Sequence, residues 1–341
     1  MAKKSLFQKD KLMTTDKCKR VYDSVLDVVG NTPLVRLNKL TNGITSEIYA
    51  KLEYLNPMGS IKDRIAKYMV EKAEKDGRLK EGQLIIENSS GNTAVGLALA
   101  AVQKGYKLKV VVRDSLSREK LDQLRALGVE VLTVDHTLPP SSPDSYNKIT
   151  PRLAAETPGC FFPDQHNNRE NSETHYMTTG PEIWEQMDGR IDYFVAGIGT
   201  GGTISGVSRY LKEKDPKIKI IAVDPQGSIF YNYFHTGKVG ESGRYLIEGL
   251  GDEFLIKCVE FELIDDMYRV SDRDAFLHAR KLVKEEGVLG GGSSGAALWG
   301  VLKLARSLEK PARIVTVFPD SASRYLSTIF NDQWMKSKGL L

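Results

Sequence analysis

The chain has 341 residues, enough for about two domains of ordinary size. Its 41% hydrophobic and 27% charged residues match a globular protein and exclude a disordered tail, a collagen-like fibre and a coiled coil. A net charge of +4, from 48 basic and 44 acidic residues, is too small for a nucleic-acid footprint, and the basic run Lys3, Lys4, Lys9 and Lys11 reads as a solvated tail.

In chain order, a helix is predicted from Lys62 through residue 73, a strand over 83–87 and a helix over 94–104. A strand over 108–112, a helix over 118–127 and a strand over 129–134 follow. The Pro/Ser/Asn-rich stretch 135–178 reads as irregular, a hinge or crossover. The rhythm then resumes with a strand at 193–196, a helix at 202–214 and a strand at 218–223. Next come a helix at 273–286, a glycine-rich turn, a helix at 294–307 and a strand at 313–318. Continuous apolar strands flanked by helices predict an α/β fold with parallel sheets covered on both faces. No apolar run reaches the 18 or so residues of a membrane span, and no signal peptide opens the chain. Cys18, Cys160 and Cys258 form neither a zinc spacing nor a disulfide framework, as in a reduced cytosolic protein. With no HExxH, P-loop or EF-hand motif, no metal is expected.

In doubly wound sheets, ligands sit at strand-to-helix turns beyond the carboxyl ends of the strands. Three such turns here are rich in Gly, Ser and Thr: residues 87–93, 197–203 and 290–295. The turn Gly197-Ile-Gly-Thr-Gly-Gly202-Thr203 places glycine N–H groups at a helix start, suited to a phosphate. Gly197, Gly199 and Gly202 also fit GxGxxG, with Asp224 about 20 residues on where a ribose-binding acid stands, so an NAD-dependent oxidoreductase stays open at this point. Lys62 lies in the first turn of its helix. There the helix dipole, together with desolvation, lowers an amine pKa and favours covalent chemistry with a carbonyl. Ser89-Ser-Gly-Asn-Thr93 offers hydroxyls and N–H groups to a carboxylate beyond what simple N-capping needs. Gly291-Gly-Ser293-Ser-Gly295 repeats the pattern, with a plain flexible turn as its alternative reading.

These turns stand together in the order Gly30-Asn-Thr-Pro-Leu-Val35, Gly59-Ser-Ile-Lys62-Asp-Arg, Ser90-Gly-Asn-Thr93, Gly199-Thr-Gly-Gly-Thr203 and Gly292-Ser293-Ser-Gly. In that order the chain resembles the fold-type II pyridoxal-phosphate enzymes of the cysteine synthase and cystathionine β-synthase group, over residues 22–341. It is most similar to the catalytic core of the bacterial cystathionine β-synthases. The stretches that carry this are Asn56-Pro-Met-Gly-Ser, His175-Tyr-Met-Thr-Thr-Gly-Pro-Glu-Ile-Trp184, Asp224-Pro-Gln-Gly-Ser228 and Glu248-Gly-Leu-Gly-Asp-Glu-Phe254, with the tail Phe318-Pro-Asp-Ser and Ile329-Phe-Asn-Asp-Gln-Trp334 pointing the same way.

The resemblance implies two doubly wound domains of tryptophan synthase β-like architecture. Residues 1–43 form an N-terminal segment partly packing on the large domain, 44–165 a smaller mobile substrate-binding domain and 166–341 the large cofactor domain, with no C-terminal regulatory domains. It implies that Lys62 binds pyridoxal phosphate covalently and is the catalytic base. Gly199, Thr200, Gly201, Gly202 and Thr203 hold the phosphate, Asn92 the ring hydroxyl and Ser293 the pyridine nitrogen. Ser89, Ser90, Asn92, Thr93 and Gln165 bind the amino-acid substrate. The implied reaction is β-replacement through an aminoacrylate, most simply serine or an activated serine plus homocysteine giving cystathionine, in a cytoplasmic homodimer that binds neither nucleic acid nor membrane.

The family's usual Glu-Pro-Thr-Ser-Gly-Asn-Thr-Gly stands here as Glu87-Asn-Ser-Ser-Gly-Asn-Thr-Ala94, and His166 replaces the usual tyrosine after Gln165. Asn88, Ser89, Ala94 and His166 alter the substrate rim and leave the cofactor residues intact. A cysteine synthase-type enzyme using sulfide with O-acetyl- or O-phosphoserine therefore stays open, as does a specialised enzyme making lanthionine or another unusual amino acid. A catalytically dead cofactor-binding sensor is a further alternative, and retention of Lys62 speaks against it.

Overall fold

Two sheets organise the chain. The computed structural model describes residues 21–341 apart from Ser90, Ser115, Ser117, Pro140 and Ser141. The basic N-terminal run, Cys18 and the substrate-site candidate Ser90 thus lie outside the described residues. The elements are β1 (Leu34–Arg36), β2 (Glu47–Leu52), α1 (Lys62–Lys75), β3 (Leu84–Asn88), α2 (Asn92–Lys104), β4 (Lys107–Arg113) and α3 (Arg118–Ala126). They continue with β5 (Glu130–Val134), α4 (Tyr146–Glu156), α5 (Glu170–Met177), α6 (Thr179–Gln186), β6 (Tyr193–Gly197), α7 (Gly202–Lys214) and β7 (Lys219–Pro225). The last are α8 (Phe230–Thr236), β8 (Asp266–Val270), α9 (Asp272–Lys281), α10 (Gly292–Ser307), β9 (Arg313–Phe318) and α11 (Asp332–Ser337).

The larger sheet has the order β1-β2-β9-β6-β7-β8, parallel except for the antiparallel edge pair β1–β2. The smaller sheet is β3-β4-β5, all parallel. Side chains along a strand alternate between faces, and both faces of the larger sheet are covered. Val195, Ile221, Val223 and Ile314 enter one hydrophobic cluster, with α10 and α9. Phe194, Ala196, Ile220, Ala222, Val315 and Val317 enter a second cluster, with α7. A third cluster joins α1 and α2 to the small sheet through Ala66, Val70, Ala98, Ile85 and Val110.

Sheet membership corrects the expected boundary at residue 44. Strand β2 pairs with β9 from Glu47↔Arg313 to Leu52↔Phe318 and so belongs to the larger sheet. The N-terminal segment touches both units, because Leu26 joins the small-sheet cluster and Leu37 the large-sheet one. The stretch 135–178 is not irregular either, since it holds α4 and α5. Pro151 lies inside α4, where proline ordinarily argues against a helix. The buried face of α5 is Asn171, Ser172, Thr174 and His175, so no apolar period announces it. The predicted helix 273–286 is α9 followed by a single π-helical turn, Leu282–Glu286.

A buried ionic network anchors α1. Arg64 pairs with Glu53 and with Glu182, each at 2.7 Å, and Lys51 pairs with Glu182 at 2.7 Å. Lys51 also donates to the Thr32 carbonyl, while Thr32 and Asn56 donate to Glu53. Burial pushes the Glu53 carboxyl up, but Arg64 beside it holds the group below its ordinary value. Two cations and two anions balance here, so removal of one leaves an uncompensated buried charge. Arg64→Ala should therefore destabilise the protein by about 3–5 kcal/mol in urea unfolding. A loss indistinguishable from that of an exposed Arg→Ala control would refute this role for the network.

Candidate active site

Three helix starts converge on the end of β9. Ile61 donates its N–H to the Pro319 carbonyl at 2.8 Å, and Gly291 donates to the Asp320 carbonyl at 3.0 Å. These bonds seat the starts of α1 and α10 against the residues that follow β9. Helix α2 reaches the same place by packing tightly on α1. A Cβ at Gly96 would lie 2.9 Å from the Lys62 carbonyl oxygen, so the approach tolerates no side chain there.

The resulting cavity encloses about 590 Å³ of space including its solvent-filled mouth. Lys62, Asn92, Gly199, Thr200, Gly201, Thr203 and Ser293 line it, together with Glu248, Leu250 and Asp320. Gly202 sits just behind the wall against Asn171, where a Cβ would come within 1.8 Å of Asn171 Oδ1. Ser89, Thr93 and Gln165 are not brought onto this wall. They are buried beside it, with Thr93 donating to Gln165 Oε1 at 2.6 Å and Ser89 Oγ accepting from the Ala94 N–H at 3.2 Å.

Lys62 is the first residue of α1. Burial lowers its amine to about 8, against the opposing influence of Cys258 and Asp320. Asn92 opens α2 and donates from Nδ2 to Asp320 Oδ2 at 2.8 Å. At the turn into α7, Gly201 has φ +82°, and a Cβ on Gly199 would lie 2.2 Å from the Gly249 carbonyl oxygen. Among the described residues, the N–H groups of Gly199, Thr200, Gly201, Gly202 and Thr203 donate to no protein acceptor. Five free donors at a helix N-terminus constitute an anion site. Behind them, Asn171 donates to Thr200 Oγ1 at 2.9 Å, and the Thr203 hydroxyl lies 3.3 Å from His175 Nε2. His175 is fully buried, and burial followed by the Lys62 and Arg64 charges keeps it neutral.

A family described as "Pyridoxal-phosphate dependent enzyme" matches residues 25–320. This chain belongs to that family. It is 43% identical over 324 residues to a cystathionine beta-synthase of Apis mellifera, covering 94% of this chain and 64% of that protein. Similar figures hold for cystathionine beta-synthases of Mus musculus (42%, covering 95% and 58%) and Saccharomyces cerevisiae (43%, covering 93% and 64%). The chain thus spans about three fifths of the length of these relatives.

The cavity of this pyridoxal-phosphate-dependent enzyme suits that cofactor. The five free N–H groups match its phosphate, the Lys62 amine its aldehyde, and the Ser293 hydroxyl, buried at the start of α10, a ring nitrogen. The oxidoreductase reading falls with family membership. Its intended ribose acid, Asp224, is fully buried inside the fold, where Oδ2 accepts the Tyr231 N–H at 2.9 Å, and it does not line the cavity. An exposed group of metal-ligand type, Asp114, Asp135 and His136, has its carboxylates engaged by turn hydrogen bonds from His136 and Thr137.

Sequence reasoning gave no role to Asp320, Asn171 or His175. Asp320 had a usable signal, since it stands just beyond the carboxyl end of a predicted strand, where sites form. Asn171 lies on the helix whose buried face is polar and had none, and His175 on the same helix entered only as the first residue of a stretch that carries the resemblance. At the rim, His166 packs edge-on against Phe254 with centroids 6.2 Å apart. Burial, then the Lys62 charge, lowers its pKa to about 4. Glu87, buried beneath both rim segments, accepts the Asn88 N–H at 2.9 Å and the Gln165 N–H at 3.4 Å, and burial pushes its carboxyl up to about 8.

Only a neutral amine attacks an aldehyde. The rate at which cofactor-stripped protein captures pyridoxal phosphate should therefore climb about tenfold per pH unit below the Lys62 pKa of about 8, and level off above it. Stopped-flow absorbance checks this. A rate independent of pH across roughly pH 6 to 9 would refute the assignment of the reacting amine.

Proposed function

We propose that this enzyme catalyses β-replacement, joining serine or an activated serine to homocysteine to give cystathionine. The observation that carries the reading is the meeting, in one cavity, of the Lys62 amine, the donor-rich turn at 199–203 and the Ser293 hydroxyl. The names of the relatives direct the choice of substrates.

Bound pyridoxal phosphate supplies an electron sink for the substrate α-carbon. The chain's own groups do the rest. Lys62 would hold the cofactor through its aldehyde, and Asn92 and Ser293 would orient the ring. Lys62 Nζ would take the substrate's α-proton and deliver a proton to the departing oxygen. An amine whose pKa stands near 8 suits both transfers at neutral pH. Ser293 carries a hydroxyl where a carboxylate would keep the ring nitrogen protonated. A neutral hydroxyl at Ser293 would thereby favour elimination of the β-substituent over racemisation or transamination.

Ser89, Ser90, Thr93 and Gln165 would receive the substrate carboxylate on the small-sheet unit. We take that unit, built on the three-stranded sheet, to close over the substrate and exclude water. Such closure would bring Thr93 and Gln165, now bonded to each other, onto the cavity. We place the enzyme in the cytoplasm, in keeping with the unpaired Cys160 and Cys258, and take it to work as a homodimer. No helix among the described residues is long and apolar enough to cross a membrane.

One observation favours a different nucleophile or leaving group. His166, neutral and close enough to Lys62 to feel its charge, stands where the family has tyrosine. Sulfide with O-acetyl- or O-phosphoserine, or a second amino-acid thiol giving lanthionine, would then be the working pair.

Purified protein should show a visible cofactor band that Lys62→Ala alters and cystathionine formation that Lys62→Ala abolishes. A panel of serine derivatives against homocysteine, cysteine and sulfide, read by mass spectrometry, tests the substrates. Cystathionine absent from every pairing, with good turnover of another thiol, would move the assignment to the second reading. Under that second reading, His166→Tyr should shift kcat/KM toward homocysteine by about tenfold. An unchanged preference would exclude His166 as the residue that sets it.

A further inference from the structure

We propose that Asp320 is a positioning residue for the cofactor ring: its carboxylate, clamped by the Tyr325 hydroxyl, fixes which way the Asn92 amide points. The inference rests on the reading above that Asn92 meets the ring oxygen of pyridoxal phosphate.

Asp320 is 2% exposed and follows β9. Its Oδ2 accepts from Asn92 Nδ2 at 2.8 Å and from Tyr325 OH at 2.6 Å. Its Oδ1 is buried without a hydrogen-bond partner, against Gly291, where a Cβ would lie 2.3 Å away. The backbone around it is equally committed. Asp320 bridges Ser60 in an antiparallel pair, and its carbonyl accepts the Gly291 N–H. One residue is therefore wired to the starts of the three helices that carry Lys62, Asn92 and Ser293.

The chemistry of the pair decides the orientation. An amide presents an acceptor on one side and two donors on the other, and it can be turned over at little cost in shape. An ionised carboxylate only accepts. Facing Asp320, Asn92 must offer its nitrogen, because a carbonyl oxygen there would meet a second acceptor. One amide N–H is then held by Asp320, and the second remains available to an oxygen in the cavity. Tyr325 is itself buried, and its hydroxyl holds the carboxylate so that the arrangement is rigid before any cofactor arrives. Burial raises the Asp320 carboxyl, while Tyr325 and Asn92 oppose the rise with their hydrogen bonds.

A double-mutant cycle tests this. Affinity for pyridoxal phosphate is measured by absorbance and fluorescence on wild type, Asn92→Ala, Asp320→Ala and the double variant, with circular dichroism as the check on folding. Asp320→Ala should weaken cofactor binding about tenfold and shift the visible maximum of the bound cofactor. In the Asn92→Ala background the same substitution should change neither. Asp320→Asn retains an acceptor oxygen and should recover most of the affinity. Tyr325→Phe, which leaves the Asp320–Asn92 bond in place, should weaken binding about threefold and serves if Asp320→Ala does not fold. Equal losses from Asp320→Ala with and without Asn92 would overturn the proposal, as would no loss in either background. An Asn92→Ala variant that binds pyridoxal phosphate as wild type does would instead remove the underlying reading of Asn92, a separate and recognisable result.

Discussion

Everything in this site depends on holding one lysine amine out of water at the first turn of a helix. Desolvation is the largest influence on Lys62, and it brings the amine to about 8. A side chain so placed is costly to bury, so the surrounding structure has to be rigid enough to keep it there. The ionic network of Lys51, Glu53, Arg64 and Glu182 supplies that rigidity two residues further along the same helix. The bonds from Ile61 and Gly291 to Pro319 and Asp320 supply it from the other side.

Close backbone packing does the remaining positioning. Gly96 lets α2 lie against the Lys62 carbonyl, and Gly199 lets the turn at 199–203 lie against Gly249. At both places a methyl group would collide with backbone rather than with a yielding side chain. The donor-rich turn at 199–203, the Lys62 amine and the Asn92 and Ser293 side chains come from the starts of four helices; the start of α1 spends its N–H groups on Pro319, Ser60 and Ile61, whereas the turn into α7 leaves its donors free.

The rim follows a different logic. Ser89, Thr93 and Gln165 spend their hydrogen-bonding groups on one another and on the local backbone, and Glu87 ties the two rim segments from beneath. This part of the molecule rests on the small sheet, whereas the turn at 199–203 and Ser293 belong to the large one. Of the departures from the family pattern, Asn88, Ser89, Ala94 and His166, none lines the cavity, and Ala94 is buried in the cluster that joins α2 to the small sheet. Substrate choice can therefore vary while the chemistry is kept.

What could be read directly from the residues was local. Apolar β-branched runs and glycine-rich turns located β4, β6, α7, α10 and β9 to within a residue or two and drew attention to the turns at 87–93, 197–203 and 290–295, while the family resemblance singled out Asn92 and Ser293 within them and gave Lys62 its role. Each of these signals is confined to a short window, because strand periodicity, helix starts and glycine turns are properties of neighbouring residues. Strand β2 belongs to the larger sheet, α5 hides behind a buried polar face, and Asp320 joins Asn92 across 228 positions of chain. Those facts were decided only by tertiary structure. Long-range pairing of strands and the mutual satisfaction of buried polar groups depend on which segments meet in space, and no short stretch of sequence carries that information.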